Sequence, residues 1–353
     1  KITILVVCMD VGLLLIIIIV CAVFIFDFTN GFHDAADMVA TAIASRTMTP
    51  GIAILLVTSF TFIAPFLAGL AVADTIGNFV DMKEAGSIKA QVMILSAILS
   101  AVTYNVITWR MGLPSSSTNS LVGGIVGSAL SGLGSQSVNW GVSSLAAGHL
   151  EGVMKIVAGL FVSPFAGFVA GFLLMKIFMR LFHALTLKSR RFFIWSQYIS
   201  ISWLGFSHGA NDAQKGMAII TMTLVASGTI SEFAVPYWVI LVCASAISLG
   251  TMFGGWRIIK TLGFGIIKVR VLHSFTDQAG AALINTIATG IGAPTSTTQV
   301  VTATLLGIGG AEKPRHVKYK TALSIMQGWL FNIPISMAIG SLYYMSISYI
   351  FKL

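Results

Sequence analysis

One short pattern occurs twice in this chain, about half a chain apart. Asn30-Gly31-Phe32-His33-Asp34-Ala35 returns 178 positions later as His208-Gly209-Ala210-Asn211-Asp212-Ala213. Gly112-Leu113-Pro114-Ser115-Ser116-Ser117-Thr118 returns 180 positions later as Gly292-Ala293-Pro294-Thr295-Ser296-Thr297-Thr298. The surroundings of all four are strongly apolar. A fold for this sequence must therefore place two equivalent sets of carboxylates, glycines, prolines and hydroxyls where polar groups are costly, and such groups are rarely kept there without a use.

Composition says what the surroundings are. Of 353 residues, 56% are hydrophobic and only 9% charged, against about 25% charged in a soluble domain. With a mean hydropathy of +0.91, the chain reads as a polytopic membrane protein of the all-α class. Its 35 glycines suit closely packed membrane helices. The net charge of +9 does not indicate a nucleic-acid partner, because the basic residues fall in short loops between apolar segments, where the positive-inside rule explains them. Cys8, Cys21 and Cys243 sit in apolar runs with neither disulfide nor zinc spacing and read as packing residues. The run from Val11 to Phe26 has the length of a signal-peptide core, yet no small-residue cleavage site follows it.

Apolar segments fall at about 3–29, 33–45, 51–73, 88–109, 117–133 and 154–182, and again at about 192–206, 209–227, 235–256, 275–290, 298–309 and 319–350. A full span needs roughly 20 residues, so several of these are half-helices or hairpin arms, and 88–133 and 275–310 are open to either a hairpin or two full spans. The basic groups Arg46, Arg180 to Arg191, Arg257 to Arg270 and Lys313 to Lys320 are expected on the cytoplasmic side, with 74–90, 134–152 and 228–236 outside. With 3–46 as one broken span, each half makes an odd number of crossings. The second half then enters from the opposite side, which predicts two inverted-topology repeats, residues 1–182 and 183–353.

In such a chain, paired interruptions mark a binding site. An apolar helix does not favour Asn30, Gly31, Asp34 and Asp37 together, so an unwound point is expected there. Its free carbonyls and carboxylates would hold a cation, and the half-helix that follows would attract an anion. The plainer reading is that Asp34 caps a helix starting near residue 35; the second copy at Asp212 favours function. Candidate cation-site residues are Asp34, Asp212, Asn30, His33 and Asp37. Ser115, Ser116, Ser117 and Thr118, with Thr295, Ser296, Thr297 and Thr298, supply hydroxyls beside exposed backbone N–H groups, which suits a tetrahedral oxyanion; an ordinary Ser/Thr cap or helix-packing surface is the alternative. Lys215 stands where Asp37 stands in the first copy. It could contact the anion, pair with Asp37, or snorkel to the interface. His33 and His208 are equally consistent with proton coupling and with a structural role. No nucleotide-binding loop, zinc helix motif or nucleophile elbow is present, which argues against an enzyme and against an ATP-driven pump.

At Gly31-Phe-His33-Asp34-Ala-Ala-Asp37-x-Val-Ala-Thr41, at His208-Gly-Ala-Asn211-Asp212-Ala-Gln-Lys215-Gly216 and at both Gly-x-Pro-hydroxyl stretches, the chain resembles the inorganic phosphate transporter (Pit) family, over essentially its whole length. The resemblance implies an inverted-repeat carrier that moves inorganic phosphate with a coupling cation. It places Asp34 and Asp212 at the cation and lines the phosphate pocket with the eight hydroxyls, Asn211 and Thr41. Thr61 and Gln278 stand where sodium-coupled relatives carry glutamates, and His33 and Asp37 where they often have Asn. In this the chain is similar to the bacterial low-affinity branch, proton-coupled carriers of phosphate or metal–phosphate. The expectation is thus an importer of inorganic phosphate in the plasma or inner membrane, working by proton or sodium symport, with no cofactor beyond the coupling ion and a divalent metal or a homodimer as further options. Sulfate carriage and an anion channel are the alternatives; an ionised Asp near the ligand favours phosphate, which can donate a proton to it.

Overall fold

The structure, a computed structural model, describes residues 11–78, 80, 86–146, 148–182, 187–254, 259, 263 and 265–353. Cys8, Arg257 and Lys260 lie outside the described residues. In order the helices are α1 (Val11–Ala44), α2 (Pro50–Ile63, prolonged by a 3-10 turn Ala64–Phe66), α3 (Ala71–Gly77), α4 (Ser87–Met111), α5 (Ser117–Leu133), the short α6 (Val142–Ala146), α7 (Gly152–Leu181), α8 (Leu187–Ala226), α9 (Tyr237–Phe253), α10 (Val271–Gly290), α11 (Thr297–Glu312) and α12 (Tyr319–Phe351). Among the described residues there is no strand, only an isolated bridge between Val80 and Val138. α1, α4, α7 and α12 are each long and apolar enough to cross a bilayer, and α2 with its 3-10 turn makes a pair with α3 bent by 71°. Phe161, Phe165, Leu330 and Tyr349 of α7 and α12 are well exposed, as lipid-facing positions are. The chain is an all-α, multi-pass membrane protein.

A tight turn at each Gly-x-Pro stretch joins two helices, α4 to α5 and α10 to α11. α4 ends at Gly112 (φ 67°), α10 is followed by Gly292 (φ 66°), and both glycines take the left-handed conformation that a side chain resists. After Pro114 and Pro294 the chain stays extended, and Ser116 and Ser296 cap the next helices by accepting from the backbone N–H groups of Asn119 (3.2 Å) and Gln299 (3.4 Å).

The first motif does not unwind. α1 runs unbroken over 34 residues through Asn30-Gly31, and α8 over 40 residues through His208-Gly209. Asp34 therefore neither ends nor caps a half-helix. The reason is the role of the glycines. A Cβ at Gly31 would lie 2.0 Å from the carbonyl oxygen of Ile247 on α9, and one at Gly209 2.4 Å from that of Thr61 on α2. These glycines let two helix backbones touch, and a helix whose polar side chains find partners has no need to free its own carbonyls.

Contacts of this kind tie the two halves of the chain together. α1 packs on α9, α2 on α8, α5 on α12 and α7 on α11. Gly127 faces Met337 and Gly307 faces Phe168 at 2.1 Å by the same measure. α1 and α8 lie antiparallel, since Asn30 meets Asp212 and Asp34 approaches His208. One apolar cluster holds Ile19, Phe26, Ile98, Leu121 and Met217; the other holds Met38, Phe193, Leu204 and Ile308. The polar stretches of α1 and α8 fall between them.

Candidate functional site

Every candidate residue is buried in this layer: none of Asn30, His33, Asp34, Asp37, Thr41, Ser115, Ser116, Ser117, Thr118, Asn211, Asp212, Lys215, Thr295, Ser296, Thr297 and Thr298 is more than 5% exposed. On α1, Asn30, Asp34, Asp37 and Thr41 recur at the spacing of one helix face. On α8, His208, Asp212 and Lys215 do the same. The hairpin turns arrive from opposite ends of the chain and meet here, where the Thr118 hydroxyl donates to the Thr295 carbonyl at 2.7 Å.

Equivalent residues make equivalent contacts. Asn30 donates to Asp212 Oδ2 (3.1 Å) and accepts from the Ser117 hydroxyl (2.7 Å). His208, its counterpart in the second motif, sits 3.2 Å from the Thr297 hydroxyl and 3.8 Å from Asp34 Oδ2. Each motif helix thus touches its own half's hairpin and the other half's carboxylate. His208 Nδ1 also lies 3.9 Å from Asp212 Oδ1, so one imidazole stands between both carboxylates.

Beyond this the copies diverge. The Thr298 hydroxyl meets both Asp34 Oδ1 (2.9 Å) and Asp37 Oδ2. The hydroxyl of its counterpart Thr118 donates to a backbone carbonyl, that of Thr295. Lys215 does not pair with Asp37, as its position had suggested, nor does it reach the membrane surface. It is fully buried and bonds Asp212 Oδ2 on its own helix at 2.6 Å. The i, i+3 spacing puts that carboxylate one turn away, and a buried ammonium needs so close a partner. Asp212 thus has three ligands nearby: Lys215, Asn30 and His208.

Not every candidate hydroxyl is free to meet a ligand. Ser116 and Ser296 are committed to capping, and Ser116 also donates to Asn119 Oδ1 at 3.0 Å. Asn211 braces the second turn: it accepts from Thr295 N (3.1 Å) and donates to Thr289 Oγ1 (3.0 Å) and the Ala293 carbonyl (3.2 Å). Ser115 accepts from Asn332 on α12 at 3.1 Å. Around the meeting point lie Ser117, Thr118, Thr295, Thr297 and Thr298, whose hydroxyls bond Asn30, the Thr295 carbonyl, Asn285, His208 and Asp34 and must exchange those partners to meet a ligand, with the first-turn N–H groups of α5 and α11, which have no partner within their own helix. Two helix N-termini and their dipoles therefore converge on one buried place. Beside it, ligand atoms of His33, Asp34 and Asp37, and of Asp34, His208 and Asp212, lie within 4.8 Å of one another, a geometry that suits a small cation. Neither ring nitrogen of His33 bonds anything among the described residues.

Several polar residues here escaped the sequence reading. Asn332 holds the first turn through Ser115 and the Ser116 carbonyl (2.7 Å). Asn105 and Asn285 do similar work within the hairpins, toward Ser120 at 3.0 Å and Thr297 at 3.2 Å. Those two share the 180-residue offset, so carrying the repeat seven residues upstream of its glycine would have found them. Gln214 caps α3 by accepting from Val72 N (2.9 Å) and Ala73 N (3.0 Å). Asp27 and Asp277 are both buried. With only 12 acidic residues in the chain, inspecting each one in an apolar segment would have singled them out. Asp277 faces Thr41 and Asp37. The two positions expected to differ from sodium-coupled relatives are filled by neutral bonds: Thr61 donates to the Gly205 carbonyl (3.1 Å), and Gln278 accepts from Ser200 (2.7 Å).

Comparison with known proteins shows the family of the chain. Residues 30–340 match the phosphate transporter family. The chain is 38% identical over 337 residues to a probable low-affinity inorganic phosphate transporter of Rhizobium meliloti (strain 1021), covering 94% of this chain and 96% of that one. It is 37% identical to a protein of the same description from Bacillus subtilis (strain 168), covering 97% and 100%. In fold it is similar to a solved structure described as the sodium-dependent phosphate transporter, with a TM-score of 0.77 over 96% of this chain and all of that one at 24% identity. The chain belongs to the phosphate transporter family, a family of transporters and not of enzymes.

Proposed function

We propose that this member of the phosphate transporter family imports inorganic phosphate by cation symport, with phosphate held between the two hairpin turns. The observation that carries the reading is the convergence of two helix N-termini and five buried hydroxyls, from Ser117, Thr118, Thr295, Thr297 and Thr298, against Asp34 and Asp212. A tetrahedral oxyanion needs many donors in a small volume, and this place concentrates them without a free cationic side chain, since Lys215 is committed to Asp212.

The bonding of Thr298 supplies a coupling logic. A hydroxyl carries one proton to donate, and that of Thr298 lies between Asp34 and Asp37. A cation bound by those carboxylates takes over their stabilisation and releases the hydroxyl to the anion. Each ligand then lowers the cost of the other, most strongly where water is excluded. Asp34 and Asp212 are the central cation-site groups, with Asn30, His33 and Asp37 around them and a proton or sodium as the ion. A monoprotonated phosphate can donate to an ionised carboxylate; sulfate cannot.

Two inverted repeats, 1–182 and 183–353, fit the paired contacts of Asn30 and His208 and the antiparallel course of α1 and α8. Alternating access then follows from rocking of one bundle against the other around a fixed site. The test is radiolabelled phosphate uptake into proteoliposomes, with imposed sodium and proton gradients compared side by side and sulfate as competitor. Saturable uptake that follows one gradient and resists sulfate is expected. Gradient-independent flux, or equal competition by sulfate, refutes the proposal.

A further inference from the structure

Asp27 lies on the same face of α1 as Asn30 and Asp34, at the i, i+3, i+7 spacing, and it is fully buried. Unlike the other acidic groups of that face, it has no hydrogen-bond partner for either oxygen among the described residues. Asp34 and Asp37 are met by Thr298, and Asp212 by Lys215 and Asn30. The groups facing Asp27 are Asp212 and Lys215 on α8 and the Cys243 thiol on α9. The ammonium of Lys215 is already bonded to Asp212 at 2.6 Å, and a thiol is a weak donor. A Cβ at Gly216 would fall 2.2 Å from Asp27 Oδ2, so glycine at that position is what gives the carboxyl its room against α8, one residue after Lys215.

An ionised carboxylate in apolar surroundings with no donor and no cation is among the most expensive groups a protein can bury. A bound proton removes the cost. Asp277 is likewise buried with neither oxygen hydrogen-bonded among the described residues, but it faces Thr41 and Asp37 and not the Asp212–Lys215 pair. From the unbonded carboxyl of Asp27 and its place against α8 beside the Asp212–Lys215 pair we infer that it is a proton-carrying residue of the transport cycle: its carboxylate takes a proton from water while the site is open to one side and returns it to water on the other. The O–H bond formed on loading is the bond broken on release, and no further reactant is needed. The position fits a coupling role, because Asp27 is one helical turn from Asn30, which bonds both the hairpin hydroxyl of Ser117 and Asp212. A change of charge at Asp27 is therefore felt where the two halves meet. This inference rests on the reading of the chain as a phosphate–cation symporter.

The experiment compares wild type, Asp27→Asn and Asp27→Glu in proteoliposomes with two measurements. The first is exchange of radiolabelled for unlabelled phosphate without a gradient, which requires binding and alternation only. The second is phosphate accumulation driven by an inside-alkaline pH gradient, with internal pH followed by a trapped dye. Asp27→Asn is expected to retain exchange while losing gradient-driven accumulation and phosphate-induced proton entry, and Asp27→Glu to recover both. Accumulation and proton entry at wild-type level in Asp27→Asn overturns the inference. So does loss of exchange in both variants, which would make Asp27 a structural residue, and so does a wild type that ignores the pH gradient. A wild type that exchanges no phosphate instead overturns the symporter reading beneath it.

Discussion

α1 carries Asp27, Asn30, His33, Asp34 and Asp37 within eleven residues and stays helical throughout, while the hairpin turns, with only hydroxyls and a proline, break. The contrast teaches where a membrane chain interrupts itself. Acidic side chains do not unwind a helix whose neighbours offer donors, because the backbone is already satisfied and only the side chains need partners. A turn breaks where the conformation demands it, at Gly112 and Gly292, and where helix N-termini are to be presented at Ser116 and Ser296.

The sharpest way to break this comparison is at the glycines. Gly31→Ala forces a Cβ to 2.0 Å from the Ile247 carbonyl, backbone against backbone, and is expected to cost more than about 3 kcal/mol, beyond the usual range for overpacking. The measurement is the yield and thermal stability of the monodisperse protein in detergent. A Gly31→Ala variant as stable as wild type would mean that α1 does not press on α9 here. The carboxylates come next. Asp34→Asn and Asp212→Asn each remove a charge-assisted hydrogen bond worth about 1.5–3 kcal/mol, and so are expected to lower phosphate uptake about ten- to hundredfold; Asp212→Asn also leaves the buried Lys215 ammonium without its carboxylate and is expected to destabilise the protein by about 3–5 kcal/mol. Normal transport in both would take these residues out of the mechanism.

The two turns can then be set against each other. Asn211→Ala strips three hydrogen bonds from the second turn and leaves the Thr295 N–H buried without a partner, whereas Asn332→Ala removes two from the first. Each unsatisfied buried group costs about 1–3 kcal/mol, so Asn211→Ala is expected to lower the melting temperature more. Thr298→Val deletes the donor to Asp34 and Asp37, and Thr118→Val only a donor to a carbonyl. The first is expected to change the cation dependence of uptake and the second its affinity for phosphate alone; identical kinetic phenotypes would erase the difference drawn here between the turns. The smallest effect is expected at Gly112→Ala, where nothing lies within 4 Å of the added Cβ and only the left-handed conformation costs about 1–2 kcal/mol.

Much of this was legible in the residues. The hydropathy pattern carried the membrane class, and the two repeated motifs led to all sixteen candidate residues, which share one buried layer. The partner of Lys215 was not legible, because it depends on how α8 lies against α1: with Asn30 against Asp212 and the helices antiparallel, Lys215 falls toward Asp27 and away from Asp37. Asn332 was not legible either, because its partners Ser115 and Ser116 lie more than 200 positions away and nothing near it repeats. Asp27 stood in plain view. It was passed over because it lies outside the repeated pattern.

The sequence alone determined that this chain lives in a membrane, that its polar groups come in two related sets, and where its hairpins turn, since burial preference, helix length and glycine or proline dihedral limits are local properties. The tertiary structure decided what the motif glycines are for, which hydroxyls are spent on caps and braces, and which carboxylates are left without a hydrogen-bond partner among the described residues. Those outcomes depend on which backbone or side chain approaches from a distant part of the chain, and distance along a sequence carries no record of that.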